Sequence, residues 1–179
     1  MLISLQELQL HPVKFNADIP TGEIEYDGRA KQASVLHAEG EARLVSNALG
    51  EIRIRGKLSA DMEAPCDRCL ETACCSIDKT FDLLYYPADQ LEGGREEEIK
   101  EGDSEVAYYE CNRLQLSDVL REVVLLAMPM QLVCTESCKG ICPSCGQNRN
   151  VQLCDCHAAA VDDRWSKLKT IRSEISSRN

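Results

Sequence analysis

Apolar and polar residues alternate through the first half of the chain, the period of strands with one buried face. Val13, Phe15, Ala17 and Ile19 fall on one side, with Lys14, Asn16 and Asp18 between them, until Pro20-Thr21-Gly22 breaks the pattern. A weaker alternation through Ala38, Ala42 and Leu44 ends at the turn-forming Asn47-Ala48-Leu49-Gly50, which predicts a hairpin. The clearest strand follows: Ile52, Ile54, Leu58, Ala60 and Met62 share one face, and Arg53, Arg55, Lys57 and Asp61 the other. That charged side reads as an exposed sheet face. Beyond Pro65-Cys66-Asp67-Arg68-Cys69-Leu70, whose composition suits a turn, Ala73, Cys75, Ile77, Phe81 and Leu83 continue the buried set. In that strand Cys75 reads as a small core residue and Cys74 as an outward thiol.

The period then changes. After a short strand at residues 106–109, Val119, Leu120, Val123, Val124, Leu126 and Ala127 recur at helical spacing, with Ser117-Asp118 as cap and Met128-Pro129 as terminator. Asp162-Asp163 caps a second predicted helix with the stripe Trp165, Leu168, Ile171 and Ile175. The stripe belongs in a core, and Trp165, the only tryptophan, is the best single candidate for a partner contact. The expected fold is therefore α+β. An antiparallel sheet or partial barrel fills the N-terminal two thirds, packed by a helix, and a C-terminal zinc-ribbon-like segment and terminal helix follow. The corresponding domains are residues 1–133 and 134–179.

Charge adds a bias of partner. The net charge of −10 disfavours non-specific attachment to nucleic acid or anionic membrane and favours a basic partner. Residues 81–133 carry 12 acids against 4 bases, concentrated in a polar loop over about 87–105. Residues 134–179 carry 5 acids and 7 bases, which is not a strongly cationic arm. The N-terminal residues lack the pattern of a secretory signal, and no apolar run reaches the ~18 residues a membrane span needs. The expectation is a cytoplasmic protein without a membrane segment.

In that setting the 11 cysteines read as metal ligands or buried thiols rather than disulfides. Six lie between Cys134 and Cys156, and Cys142-Pro143-Ser144-Cys145-Gly146 has the form of a zinc knuckle. Cys142 and Cys145 are its firmest members. The other two ligands come from Cys134 and Cys138, from Cys154 and Cys156, or from a mixed set such as Cys138 with Cys156, so four of these six bind. His157 beside so many thiols is a bystander. An all-thiolate sphere is closed, hence a structural zinc, with rubredoxin-like iron as the chemical rival. Cys66 and Cys69 form a possible second or shared thiol site. No phosphate loop, dinucleotide fingerprint, nucleophile elbow or zinc-protease motif occurs, which argues against an enzyme.

Four segments in order carry a family likeness: Cys66-Asp67-Arg68-Cys69-Leu70, the run from Leu116 to Met130, Cys138 through Gly146, and Asp163 through Leu168. Together they resemble the YceD family, the large ribosomal RNA subunit accumulation proteins. The resemblance implies a non-enzymatic cytoplasmic factor that supports large-subunit ribosomal RNA accumulation or processing and ribosome assembly. It also points to Cys66 and Cys69 as a first cysteine pair and to the Cys134–Cys156 stretch as a metal-binding segment. It implies no role for Cys74, Cys75 or Cys111. The expected partner is an assembly intermediate, a basic large-subunit ribosomal protein or precursor large-subunit RNA. The alternative is a thiol or metal-handling protein, either a rubredoxin-like electron carrier or a zinc donor.

Overall fold

The computed structural model describes residues 1–26, 28–45, 50–88 and 106–156. The elements are β1 (Leu2–Ser4), α1 (Leu5–Leu10), β2 (Val13–Ile19), β3 (Lys31–Gln32), β4 (Leu36–Leu44), β5 (Ile52–Pro65), β6 (Thr72–Pro87), β7 (Val106–Tyr109), β8 (Arg113–Gln115) and α2 (Leu116–Ala127). The fold is α+β, as the patterning implies. Residues 89–105 of the acidic stretch, Asn47 to Leu49 of the expected turn, His157, Trp165 and the expected terminal helix lie outside the described residues.

The alternating runs pair into one sheet in the order β2-β4-β5-β6-β7, with β3 added against the far half of β5. All its pairings are antiparallel except β6 with β7, which run parallel. Register aligns the apolar rows: Val13 lies opposite Ala42, Ala42 opposite Ile54, and Ile54 opposite Leu83. The next row on that face is Phe15, Gly40, Gly56 and Phe81. Two glycines between two phenylalanines leave room for the rings to lie over bare backbone, a recurrent use of glycine in strands.

Period 3.6 places Leu116, Val119, Leu120, Val123 and Val124 on the buried side of α2, where they join Ile54, Leu58 and Met62 in one core. Its N-cap is Gln115, two residues ahead of the expected Ser117, and no side chain caps it. Leu116 is almost wholly buried, so packing sets the first turn in place of a cap. The Tyr85 hydroxyl of β6 donates to Glu122 of α2 at 3.1 Å. Burial first, then the Glu122 carboxylate, raises that phenol well above its ordinary range.

The N-terminal elements are not evident from periodicity. β1 pairs antiparallel with β8, Leu2 opposite Gln115, and so lies beside the start of α2. Ser4 then caps α1, its Oγ accepting the Glu7 amide at 3.2 Å. Buried Gln32 holds the approach to β4 by donating from Nε2 to the carbonyls of Ile19 and Ser34, both at 2.8 Å.

On the outer face the cations of β5 meet the carboxylates of β6. Asp82 receives Arg53 at 2.7 Å and Arg55 at 2.8 Å, and Lys57 lies 3.1 Å from Asp78. The hydrogen bond from Arg53 leads the causes that hold Asp82 below the usual carboxylate range. This agrees with a charged, solvent-facing side of a sheet. Cys75 is half-buried and Cys74 exposed, as the alternation requires. Among the described residues no helix is long and apolar enough to cross a membrane.

The chain divides into two compact units: Met1–Cys66 with Glu71–Cys134, and Asp67–Leu70 with the chain from Thr135 onward. The first holds the sheet, α1 and α2. Among the described residues of the second, the chain runs in turns with one antiparallel bridge between Ile141 and Asn148.

Candidate metal centres

Proline and glycine shape the first centre. In Cys142-Pro143-Ser144-Cys145-Gly146 the chain turns back on itself, the Gly146 amide donating to the Cys142 carbonyl at 2.8 Å. Gly146 has φ +73°, a left-handed angle that glycine adopts without the penalty a side chain incurs. The returning chain is held by the Cys142 amide on the Gln147 carbonyl at 2.8 Å and by the Ile141–Asn148 bridge. Cys154 and Cys156 then come to the same place. The sulfurs of Cys142, Cys145, Cys154 and Cys156 all lie within 4.8 Å of one another.

Tetrahedral bonds of about 2.3 Å put thiolate sulfurs about 3.8 Å apart around zinc, so a small contraction closes this set on a metal. The electrostatics suit a cation. Backbone amides of Cys145 and Ser144, then the Cys154 thiol, draw the Cys142 thiol down to about 6. Its hydrogen bond with Cys142 chiefly raises Cys154, and the bond with Cys145 chiefly pushes Cys156 up to about 12. The first negative charge thus settles on Cys142 and opposes the next, an opposition that a divalent ion removes.

The second group joins Cys66, Cys69, Cys134 and Cys138, whose sulfurs also lie within 4.8 Å of one another. Cys66 follows the last residue of β5, and its amide donates to the Glu71 carbonyl at 2.7 Å, closing the turn that holds Asp67, Arg68 and Cys69. The Cys134 amide donates to Cys66 Sγ at 3.4 Å. Arg68 reaches over the following turn, its Nη1 donating to the carbonyls of Glu136 at 3.1 Å and Cys138 at 3.3 Å. Its own carbonyl accepts the Ile141 amide at 2.8 Å. Cys66, Cys69 and Cys138 are all buried.

The six clustered cysteines thus divide between two places. Cys154 and Cys156 meet Cys142 and Cys145, while Cys134 and Cys138 meet the early pair Cys66 and Cys69. Cys74, Cys75 and Cys111 join neither group. Residue spacing does not bring out two further participants, Arg68 and Asn150. Arg68 is recognisable only as the cation inside the first Cys-x-x-Cys. Asn150 belongs to the asparagine-rich turn, where the Asn148 side chain accepts the Asn150 amide at 2.9 Å.

Comparison with known proteins gives distant but consistent relatives. A large ribosomal RNA subunit accumulation protein YCED homolog 1, chloroplastic, of Arabidopsis thaliana is 25% identical over 148 residues, covering 70% of this chain and 46% of the relative. Uncharacterized proteins of Mycobacterium bovis and Mycobacterium tuberculosis are 26% identical over 118 residues, covering 65% of this chain and 54% of theirs. The chain spans about half the length of these curated relatives. No solved structure matches. The sequence model described as large ribosomal RNA subunit accumulation protein YceD matches residues 54–172, from β5 through the cysteine turns, and on that extent the chain belongs to the YceD family.

Proposed function

We propose that this chain supports the accumulation of large-subunit ribosomal RNA by binding, without catalysis of its own, in the cytoplasm. The family match over residues 54–172 carries the reading, because it runs through both the sheet and the cysteine turns. The name of the Arabidopsis relative, a large ribosomal RNA subunit accumulation protein homolog, supports it. Direct grip on bare RNA suits the chain poorly: such binding is dominated by phosphate neutralisation, and the net charge is −10. The cations of β5 are also engaged, Arg53 and Arg55 by Asp82 and Lys57 by Asp78. A basic large-subunit ribosomal protein, or an assembly intermediate displaying one, is therefore the partner, recognised through charge complementarity.

Zinc serves as a structural staple in this reading. Four thiolates close the coordination sphere and leave no open position for a reacting water. The Cys142 group provides one such set, with Cys142, Cys145, Cys154 and Cys156 as ligands. A second reading, as a rubredoxin-like electron carrier or a zinc donor, has one observation in its favour: Cys145 and Cys156 are exposed. Colourless, tightly held zinc supports the staple; iron colour or rapidly exchanging metal supports the alternative.

Co-sedimentation of the full chain with precursor large subunits tests the assembly role. Association that weakens as salt rises is expected. A tight, salt-insensitive complex with naked ribosomal RNA overturns the protein-partner reading, and absence from every ribosomal fraction overturns the assembly role itself.

A further inference from the structure

We propose that the chain holds two zinc-type ions, one per cysteine tetrad, and that Asn150 couples them by carrying order from the Cys142 turn to the sulfur of Cys138. This rests on the zinc reading above and extends it to stoichiometry, ligand partition and a positioning residue. The partition is geometric: two disjoint sets of four sulfurs each converge within 4.8 Å. Neither set needs a ligand from the other.

Backbone joins the two turns over a short distance. Cys138 and Cys142 are separated only by Lys139, Gly140 and Ile141. The Gly140 carbonyl accepts the Arg149 amide at 2.9 Å, and Gln147 accepts the Cys142 amide, so the segment between the ligands forms one side of the small ribbon. Asn150 sits at the end of the other side. Its Oδ1 accepts the Lys139 amide at 2.7 Å, and its Nδ2 donates to Cys138 Sγ at 3.3 Å. The first bond fixes the amide's orientation: because Oδ1 must face the Lys139 N–H, the atom facing sulfur is Nδ2, a donor.

A donor aimed at a metal-bound thiolate stabilises its charge and holds it in place, the role that outer partners of metal ligands commonly fill. The turn from Gln147 to Asn150 is in turn closed by the Cys142 group, since it lies between Cys145 and Cys154. Metal at Cys142, Cys145, Cys154 and Cys156 therefore pre-positions Asn150 for the Cys138 site. Each ion displaces the protons still carried by its four thiols and forms four metal–sulfur bonds, so loading releases acid.

Titration of the reduced, metal-free full chain with cobalt, followed by zinc competition, reads both parts. Two equivalents are expected, each with the thiolate charge-transfer band and tetrahedral visible bands of a four-sulfur site. In Asn150→Ala two equivalents remain, but the affinity for one falls roughly 10- to 100-fold. Asn150→Asp keeps the shape and the acceptor for Lys139 while replacing the donor by a charged oxygen, so it is expected to lose at least as much. A merely structural asparagine would tolerate that exchange.

In a chain carrying Cys142→Ser and Cys145→Ser, the remaining equivalent is expected to bind more weakly than in the unaltered chain. Asn150→Ala should then add little, the non-additivity of one connected path. A single equivalent in the unaltered chain overturns the two-site proposal. Unchanged affinities in both Asn150 variants overturn the coupling. Failure of the reduced chain to hold any metal is a distinct result, because it removes the zinc reading on which both depend.

Discussion

Gly40→Ala is expected to lower the unfolding free energy by about 3 kcal/mol, the upper end of what overpacking usually costs. A Cβ at this position would lie 2.6 Å from Phe15 Cζ and 2.8 Å from the Gly56 Cα, and would run into the Arg55 carbonyl oxygen. The ring can rotate away, but the two backbone atoms belong to the paired strand β5 and cannot move without breaking its ladder with β4. Gly56→Ala should behave alike, since its Cβ would meet the Glu39 carbonyl oxygen of β4 at 2.5 Å as well as Phe81 Cζ at 2.8 Å. A loss of this size is a large share of the 5–15 kcal/mol that small domains possess. Urea unfolding measures it as a fall in midpoint at constant slope. Lys57→Ala, an exposed position in the same strand, is the control and should stay within about 0.5 kcal/mol. An unchanged midpoint for both glycine variants would mean that the row from Phe15 to Phe81 is looser than described.

Removing metal should have the second large effect, confined to the cysteine turns. Structural zinc in small four-ligand sites carries apparent binding free energies of about 10–16 kcal/mol near neutral pH, far more than turns without a core supply themselves. Chelation of the reduced full chain is expected to expose Lys139 and Arg149 to trypsin, with cleavage suppressed again on adding zinc. The far-ultraviolet circular dichroism contributed by the sheet and α2 should be retained. Acid should mimic the chelator because thiols reclaim their protons as pH falls, and metal release by falling pH is the sign to observe. Tryptic patterns indifferent to metal would show that these turns stand without it.

Where one face of a strand is buried, the sequence announces the strand, and Ile52 to Met62 is the plainest case. The helix from Leu116 was legible by its period, yet its first residue was not, because burial of Leu116 and not the hydroxyl of Ser117 decides where it begins. α1 leaves no periodic signature, since six residues offer less than two turns, although Ser4 and Glu7 have the spacing of a capping box. The parallel course of β7 is settled by pairing with β6, which local pattern does not encode. For the cysteines, spacing revealed the knuckle at Cys142 but not its company. Cys66 and Cys134 are 68 residues apart, and only the folded path of the chain brings them together.

The same distances order events in time as the chain is made. β1 and its partner β8 are separated by more than 100 residues, Leu2 opposite Gln115. At roughly 5–20 residues per second, β1 emerges from the ribosome many seconds before β8 exists. Cys66 and Cys69 wait several seconds for Cys134 and Cys138, whereas the Cys142 group is complete within about three seconds of its first member at the same rate. The nascent chain therefore presents two reduced thiols without their fellow ligands, open to oxidation or to a lone metal ion, and the interval closes when the last turns emerge.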